Sequence, residues 1–280
     1  MISPLVDGRS KLIECSSALS KSGLYDIDYA LNPYRGCSHG CLYCYAPDVI
    51  RCERGDSWGS WVEARTNISR VLRKEIAGIG KAKIGLATVT DPYQPAEKRF
   101  ELTRSCLEVI ARSDASLMLM TKSPLVLRDL DLLKQIKDLE LCTTITTLDA
   151  SISSILEPGA PPPSLRLGIL RAGALAGIRT NVMISPLLMA PEGIERDLTA
   201  LMELILESGC RSVTIDRLRM RPCATKRLES RLGSIQDVRL KKNLQGVMKS
   251  SESFSADALI SDLSLKKRFP KMTFEIPDIG

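Results

Sequence analysis

Short apolar runs alternating with helically spaced stretches limit this chain to a narrow set of folds. Lys83 to Thr90, Ser116 to Thr121, Glu140 to Thr146, Arg179 to Ile184 and Ser212 to Asp216 read as strands. Helical spacing covers Thr103 to Ala111, Arg128 to Lys137, Pro163 to Ala176 and Glu192 to Glu207. A further short run, Tyr29 to Asn32, brings the number of strand-bearing units to six. Repeated strand–helix units build a parallel sheet with helices outside it. Six units are too few for a closed eight-unit barrel, so the expected fold is α/β, a partial (β/α)6 TIM-like barrel. In such barrels the chemistry sits at the carboxyl ends of the strands. Polar residues gather at those ends here: Thr90 and Asp91, Thr121 and Lys122, Thr146, Ser185 and Asp216.

At 280 residues the chain has room for one large domain with an appendage. The expected division is an N-terminal cover segment over 1–29, the barrel over 30–216 and a basic C-terminal extension over 217–280. From Arg217 to Lys271 fourteen Lys or Arg stand against five Asp or Glu, within a chain of net charge +6. Such a segment suits a nucleic-acid surface or a solvated helical face. The whole chain's aromatic content of 4% leaves few platforms for stacking bases. No apolar run reaches the length of a membrane span, and the first residues lack the order of a signal peptide, so a cytoplasmic protein is expected.

Nine cysteines, an odd number, argue in a reducing compartment for a metal site plus free thiols. Three stand together in Asn32-Pro-Tyr-Arg-Gly-Cys-Ser-His-Gly-Cys-Leu-Tyr-Cys-Tyr-Ala, as Cys37, Cys41 and Cys44. Four thiolates would complete an electron-transfer or structural cluster. Three leave one iron of a four-iron cluster open to a substrate or cofactor. A structural zinc site is the alternative, with His39, the single histidine, as fourth ligand. The other six cysteines, Cys15, Cys52, Cys106, Cys142, Cys210 and Cys223, show no Cys-x2-Cys spacing and read as small, mostly buried residues.

The triplet spacing, with Tyr43 before the last cysteine, resembles the signature of the radical S-adenosylmethionine (SAM) enzymes. Thr90-Asp91-Pro-Tyr-Gln-Pro-Ala-Glu97, Thr121-Lys122, Thr144-Ile-Thr146, Glu157-Pro-Gly with Arg166, and Val182-Met-Ile-Ser-Pro186 extend the likeness over about 32–216. Together they resemble the spore photoproduct lyase-like group. The resemblance implies a [4Fe-4S] cluster on Cys37, Cys41 and Cys44, with SAM on the fourth iron. One-electron reduction, from a flavodoxin- or ferredoxin-like donor, would cleave SAM to a 5′-deoxyadenosyl radical that abstracts hydrogen from a substrate. It further implies that Tyr43 lies near the adenine, Thr90 and Asp91 near the SAM amino group, Lys122 near its carboxylate, and Thr144 and Thr146 against SAM. Each has a plainer reading: Tyr43 as a shield over the cluster, Asp91 as a turn cap, Lys122 in an ion pair, and Glu157 with Arg166 as a pair fixing a loop.

Strand alternation adds a reading of its own. Residues two apart share a face, so Cys142 should face inward with Thr144 and Thr146, while Leu141 and Ile145 face the helices. An inward thiol is a candidate hydrogen-atom donor. Asp216 and Thr214 should likewise face inward, with Asp216 on the substrate side or capping a turn. Spore photoproduct lyase carries its donor cysteine three positions before the aspartate, and Thr88 stands there in this chain. Its O–H bond is far stronger than S–H, so photoproduct repair does not transfer with the fold. Three readings follow: a radical SAM enzyme of unassigned substrate, a DNA photolesion lyase with a relocated donor, and a non-catalytic Fe–S or zinc protein that binds nucleic acid.

Overall fold

The apolar runs pair in the order in which they occur. A computed structural model describes residues 10–24, 26–190 and 192–277. Its strands are β1 (Ser10–Ile13), β2 (Leu19–Lys21), β3 (Tyr29–Leu31), β4 (Tyr34–Arg35), β5 (Val62–Arg65), β6 (Lys83–Leu86), β7 (Ser116–Thr121), β8 (Leu139–Thr144), β9 (Arg179–Ile184), β10 (Ser212–Ile215) and β11 (Thr273–Glu275). An eight-stranded sheet runs β11-β10-β9-β8-β7-β6-β3-β2. From β3 through β11 every neighbouring pair is parallel, and β2 closes one edge antiparallel to β3. The six expected parallel strands are thus adjacent in sequence order. The sheet is open between β2 and β11, as a partial barrel requires.

Side-chain alternation explains the layering. Ile84, Leu86, Leu117, Leu119 and Leu141 pack against Leu72, Leu107, Ile110 and Ile169 of the helices. Val182, Ile184, Val213 and Ile215 pack against Leu198, Leu201, Met202 and Ile205 of helix Ile194–Glu207. Each such side chain, fully buried, contributes roughly 1.5–3 kcal/mol. Leu141 and Ile145 join these helix-facing clusters, as alternation predicts. The polar members of the same strands are left for the opposite face.

Two expectations need correction. The strand expected over Lys83 to Thr90 ends at Leu86, because Ala87 turns to φ +71°. Its N–H still bonds Leu31 O at 2.8 Å, after which the chain leaves the sheet. Thr90 and Asp91 therefore lie on a loop and not on a strand end. The helix expected over Arg128 to Lys137 is a 3-10 segment, Pro124–Asp129, followed by one turn, Leu130–Leu133. Ser123 caps it, accepting from Leu125 N, and Arg128 and Asp129 are drawn into a charged cluster. The segment before residue 30, expected as a cover segment, supplies β1, parallel to β5, and β2. These strands of four and three residues are too short to show a period. The start of the chain, on which the absence of a signal peptide was argued, lies outside the described residues.

Beyond β10 come helices Pro222–Ser234, Val238–Ser253, Ala256–Asp262 and Leu265–Arg268, and then β11, which pairs with β10. Ile260, Leu265 and Phe269 pack against the outer face of β9 and β10. Leu228, Leu244, Val247 and Met248 pack on Cys41, Tyr43 and Leu156. The extension thus covers the cysteine loop from one side. No helix among the described residues is long and apolar enough to cross a membrane.

The charged cluster has a measurable signature. Asp129, buried, accepts from Arg104 at 2.7 Å, from Arg128 at 2.8 Å and from Tyr93 Oη at 3.0 Å. Burial alone would raise its pKa, but the Arg128 and Arg104 guanidinium groups outweigh that and hold it below the ordinary value. A carboxylate with a depressed folded pKa contributes stability that is present above the unfolded value of about 3.9 and lost as pH falls through the folded one. Asp129→Asn is therefore expected to lower stability at neutral pH and to flatten its loss below about pH 4. Chemical denaturation across pH 2.5 to 7 tests this; parallel curves for the two proteins would refute it.

Candidate functional site

The cysteine loop leaves β4 through Gly36, whose φ of +82° and close approach admit no side chain: a β-carbon there would lie 2.5 Å from Trp61 O. At the far side Gly159 approaches Ser38 so closely that a β-carbon would meet its carbonyl at 2.1 Å. Gln94, fully buried, fastens the loop between them. Its Oε1 accepts from Ser38 N at 2.8 Å and its Nε2 donates to Gly36 O at 3.3 Å. Thr90 Oγ1 donates to the same carbonyl at 2.6 Å and accepts from Gln94 Nε2. Cys37 and Cys41 are buried and Cys44 is half-buried. Trp58 and Trp61, edge to face at 5.7 Å between centroids, wall the Cys37 side.

A second layer of charge lies beside the loop. Glu157 and Arg166, both buried, pair at 2.5 Å, and Arg166 also donates to Pro161 O at 2.7 Å and Thr144 O at 3.1 Å. Glu157 accepts further bonds from the Tyr43 hydroxyl, from Ser153 Oγ at 3.1 Å and from Thr146 Oγ1 at 3.4 Å. Lys122 Nζ stands 3.8 Å from Glu157 and 5.9 Å from the Tyr43 ring centroid. Burial would raise the Glu157 pKa, but Lys122 and Arg166 hold it below the ordinary range. Burial opposes the charge on Lys122, while Cys41 and Glu157 together overcome it and raise its pKa. A cation is thereby maintained beside Cys41.

Asp91 ties the loops together. Oδ1 accepts from Thr121 Oγ1 at 2.8 Å and Tyr93 N at 2.9 Å, and Oδ2 accepts from Lys122 N at 2.8 Å. His39 Nδ1 stands 3.4 Å from Oδ2, and burial depresses the His39 pKa. The structure therefore gathers Tyr43, Thr90, Asp91, Lys122, Thr146, Glu157 and Arg166 around the cysteine loop. Thr144 meets this group through its carbonyl. Thr90 and Asp91 already bond within the protein, which favours positioning over direct contact with a ligand. Asp216 binds Arg217 N at 2.8 Å and the Arg219 guanidinium, as a turn cap does. Cys142 is not brought to the loop: its Sγ–H lies 3.8 Å from Glu140 Oε2, toward the amino end of β8. Of the remaining cysteines Cys106 and Cys210 are buried, and Cys15, Cys52 and Cys223 half-buried.

Sequence reasoning assigned no role to Gln94, Trp58 or Arg227. Gln94 lies inside the quoted Thr90–Glu97 run and its position was the available signal. Arg227, on helix Pro222–Ser234, donates to Cys44 O at 2.8 Å, Gly55 O at 3.1 Å and Leu42 O at 3.2 Å. Nothing separates it by sequence from the other basic residues of that segment.

The three thiols fit an iron–sulfur cluster. Burial raises all three pKa values, Cys41 to about 12. The His39 N–H faces Cys37, and the Ala46 N–H and Trp58 indole face Cys44, opposing that rise with N–H···S bonds of the kind that tune such clusters. Among the described residues no three His, Cys, Asp or Glu converge to hold a single ion.

An open parallel α/β sheet thus carries a loop of three thiols beside its first strands. The Radical SAM superfamily model matches residues 31–205, and the chain belongs to that superfamily. An uncharacterized protein of Methanocaldococcus jannaschii is 33% identical over 176 residues, 63% of this chain and 66% of that protein. An uncharacterized protein of Mycobacterium tuberculosis is 31% identical over 218 residues, 74% of this chain and 64% of that one. The matched part thus spans just under two thirds of these relatives' length. Spore photoproduct lyase complexed with dinucleoside spore photoproduct shares the fold with a TM-score of 0.65 at 17% identity, over 95% of this chain and 81% of that one. Streptococcus suis SuiB bound to S-adenosylmethionine superposes with a TM-score of 0.56 at 11% identity, over 88% of this chain and 49% of that one.

Proposed function

We propose that this chain is a radical SAM enzyme whose substrate enters at the carboxyl ends of the strands. The observation that carries the reading is the buried three-thiol loop with N–H donors on its sulfurs and the Lys122–Glu157–Arg166 charge group beside it. When bound, a [4Fe-4S] cluster and SAM supply reductive cleavage of SAM and abstraction of a hydrogen atom from substrate. The protein's residues hold and exclude. Cys37, Cys41 and Cys44 would hold the cluster. Lys122 offers a cation for the SAM carboxylate, and Glu157 keeps that cation oriented. Tyr43, its hydroxyl bound to Glu157, has its ring fixed beside the site. The tryptophan pair and the C-terminal helices keep water from the thiols.

Two features support a nucleic-acid substrate as a second reading. The spore photoproduct lyase of similar fold is complexed with a dinucleoside photoproduct. The segment past β10 also exposes Arg217, Arg221, Lys226 and Arg231. Against direct transfer of that chemistry, Thr88 Oγ1 accepts from Asn32 Nδ2 at 3.3 Å and offers no thiol.

Anaerobic reconstitution with iron and sulfide, followed by SAM and a strong one-electron reductant, tests the proposal. Wild-type protein is expected to form 5′-deoxyadenosine, and Cys41→Ala none. Ultraviolet-irradiated DNA added to the same assay is expected to raise the yield under the second reading and to leave it unchanged otherwise. A wild type that neither assembles a cluster nor binds SAM would refute enzyme function.

A further inference from the structure

We propose that Arg227, on the C-terminal extension, is a positioning residue for the cluster: it clamps the cysteine loop and supplies a buried positive charge that favours the reduced state. This rests on the radical SAM reading above and goes beyond it by giving the extension a part in the redox site.

Helix Pro222–Ser234 begins on a proline at its first turn and lays Ala224, Arg227 and Leu228 inward at helical spacing, with Lys226 outward. Leu228 enters the cluster of Cys41, Tyr43 and Leu156, and this sets the depth to which Arg227 reaches. The guanidinium then meets three carbonyls. Two of them, Leu42 and Cys44, flank Tyr43 on the loop itself, and the third, Gly55, belongs to the segment that leads to Trp58. One planar fork therefore holds the end of the cysteine loop and the start of its tryptophan wall in one geometry. Lysine, with a single ammonium, lacks this reach.

The charge accounting points to the same ligand. Arg227 is 7% exposed, and no carboxylate among the described residues lies within ion-pair distance of it. Its Nε, buried, has no hydrogen-bond partner. A buried charge without a counter-charge is costly, and three neutral carbonyls do not remove that cost. Three thiolates around a four-iron cluster of two positive charges form a net anion. Reduction adds one more negative charge, so a nearby fixed cation stabilises the reduced form more than the oxidised one. The basic residues of the extension are thus divided: some face solvent, while Arg227 serves the cluster.

Full-length wild type, Arg227→Gln and Arg227→Lys, each reconstituted anaerobically, would be compared in three measurements. These are the cluster's midpoint potential by EPR-monitored titration, the rate of iron release to a chelator, and the melting temperature. Arg227→Gln is expected to shift the potential downward and to speed iron release by about tenfold, at the low end of what loss of an outer-shell partner costs. Arg227→Lys is expected to keep the potential near wild type while releasing iron faster, since the charge remains and the fork does not. An Arg227→Gln protein with wild-type potential and wild-type iron retention would overturn the proposal, whatever its melting temperature. If that variant does not fold, Arg227→Lys decides: iron release at the wild-type rate overturns it. A wild type that takes up no cluster would instead bring down the radical SAM reading, and this inference with it.

Discussion

Replacing Arg166 by methionine is expected to destabilise the fold by about 3–5 kcal/mol, because it breaks a buried ion pair from one side. Arg166 is fully buried and bonds Glu157 at 2.5 Å. Without it Glu157 would keep only Lys122, at 3.8 Å, as a charged partner. The carbonyls of Pro161 and Thr144 would lose their donor as well. Removing both charges together, with Arg166→Met and Glu157→Gln, should cost less than Arg166→Met alone, since no carboxylate is then stranded. Urea unfolding of the single and double variants measures this. A loss below about 1 kcal/mol in the single variant, the range of an exposed pair, would show that the pair is not the anchor of this layer.

Lys122→Met should act on binding more than on folding. Its ammonium lies 3.8 Å from Glu157 and 5.9 Å from the Tyr43 ring centroid. Under the proposed function that ammonium meets the SAM carboxylate in a site closed to water. Truncating one partner of a buried charge pair costs about 2–5 kcal/mol, so the Kd for SAM should rise by about 100-fold. Lys122→Arg, which keeps the charge, should recover part of the loss. Equilibrium dialysis with reconstituted protein separates this from a folding defect, since iron content and melting temperature are read on the same samples. Unchanged SAM affinity in Lys122→Met would remove the residue from the cofactor site and leave it as a partner of Glu157.

The parts of the site that lie close together in sequence were legible from it. Cys37, Cys41 and Cys44 fall within one loop, where spacing alone dictates proximity. The helix-facing positions of Leu141, Ile145, Val213 and Ile215 follow from the period of two. Strand ends were harder to read. Thr90 and Asp91 continue an apolar run, and only the left-handed turn at Ala87, with its bond to Leu31 on the neighbouring strand, shows where the sheet stops. Cys142 shows the opposite limit: alternation places it on the inner face with Thr144, but its depth along the strand and its bond to Glu140 remove it from the loop.

What the amino-acid sequence determined by itself is the set of local rules: the strand–helix alternation that demands a parallel sheet, and the spacing that brings three thiols onto one loop. Those depend on residues a few positions apart, so a single chain displays them. The division of roles among charged residues was decided by tertiary structure alone. Arg217, Arg219 and Arg227 are equivalent as letters. Folding leaves the first exposed, places the second against Asp216 on the turn after β10, and sets the third on the carbonyls of the cysteine loop. Burial is the reason. In water a guanidinium gains little from any one partner, whereas in the interior it must find one, and only the packed chain determines which partners lie within reach.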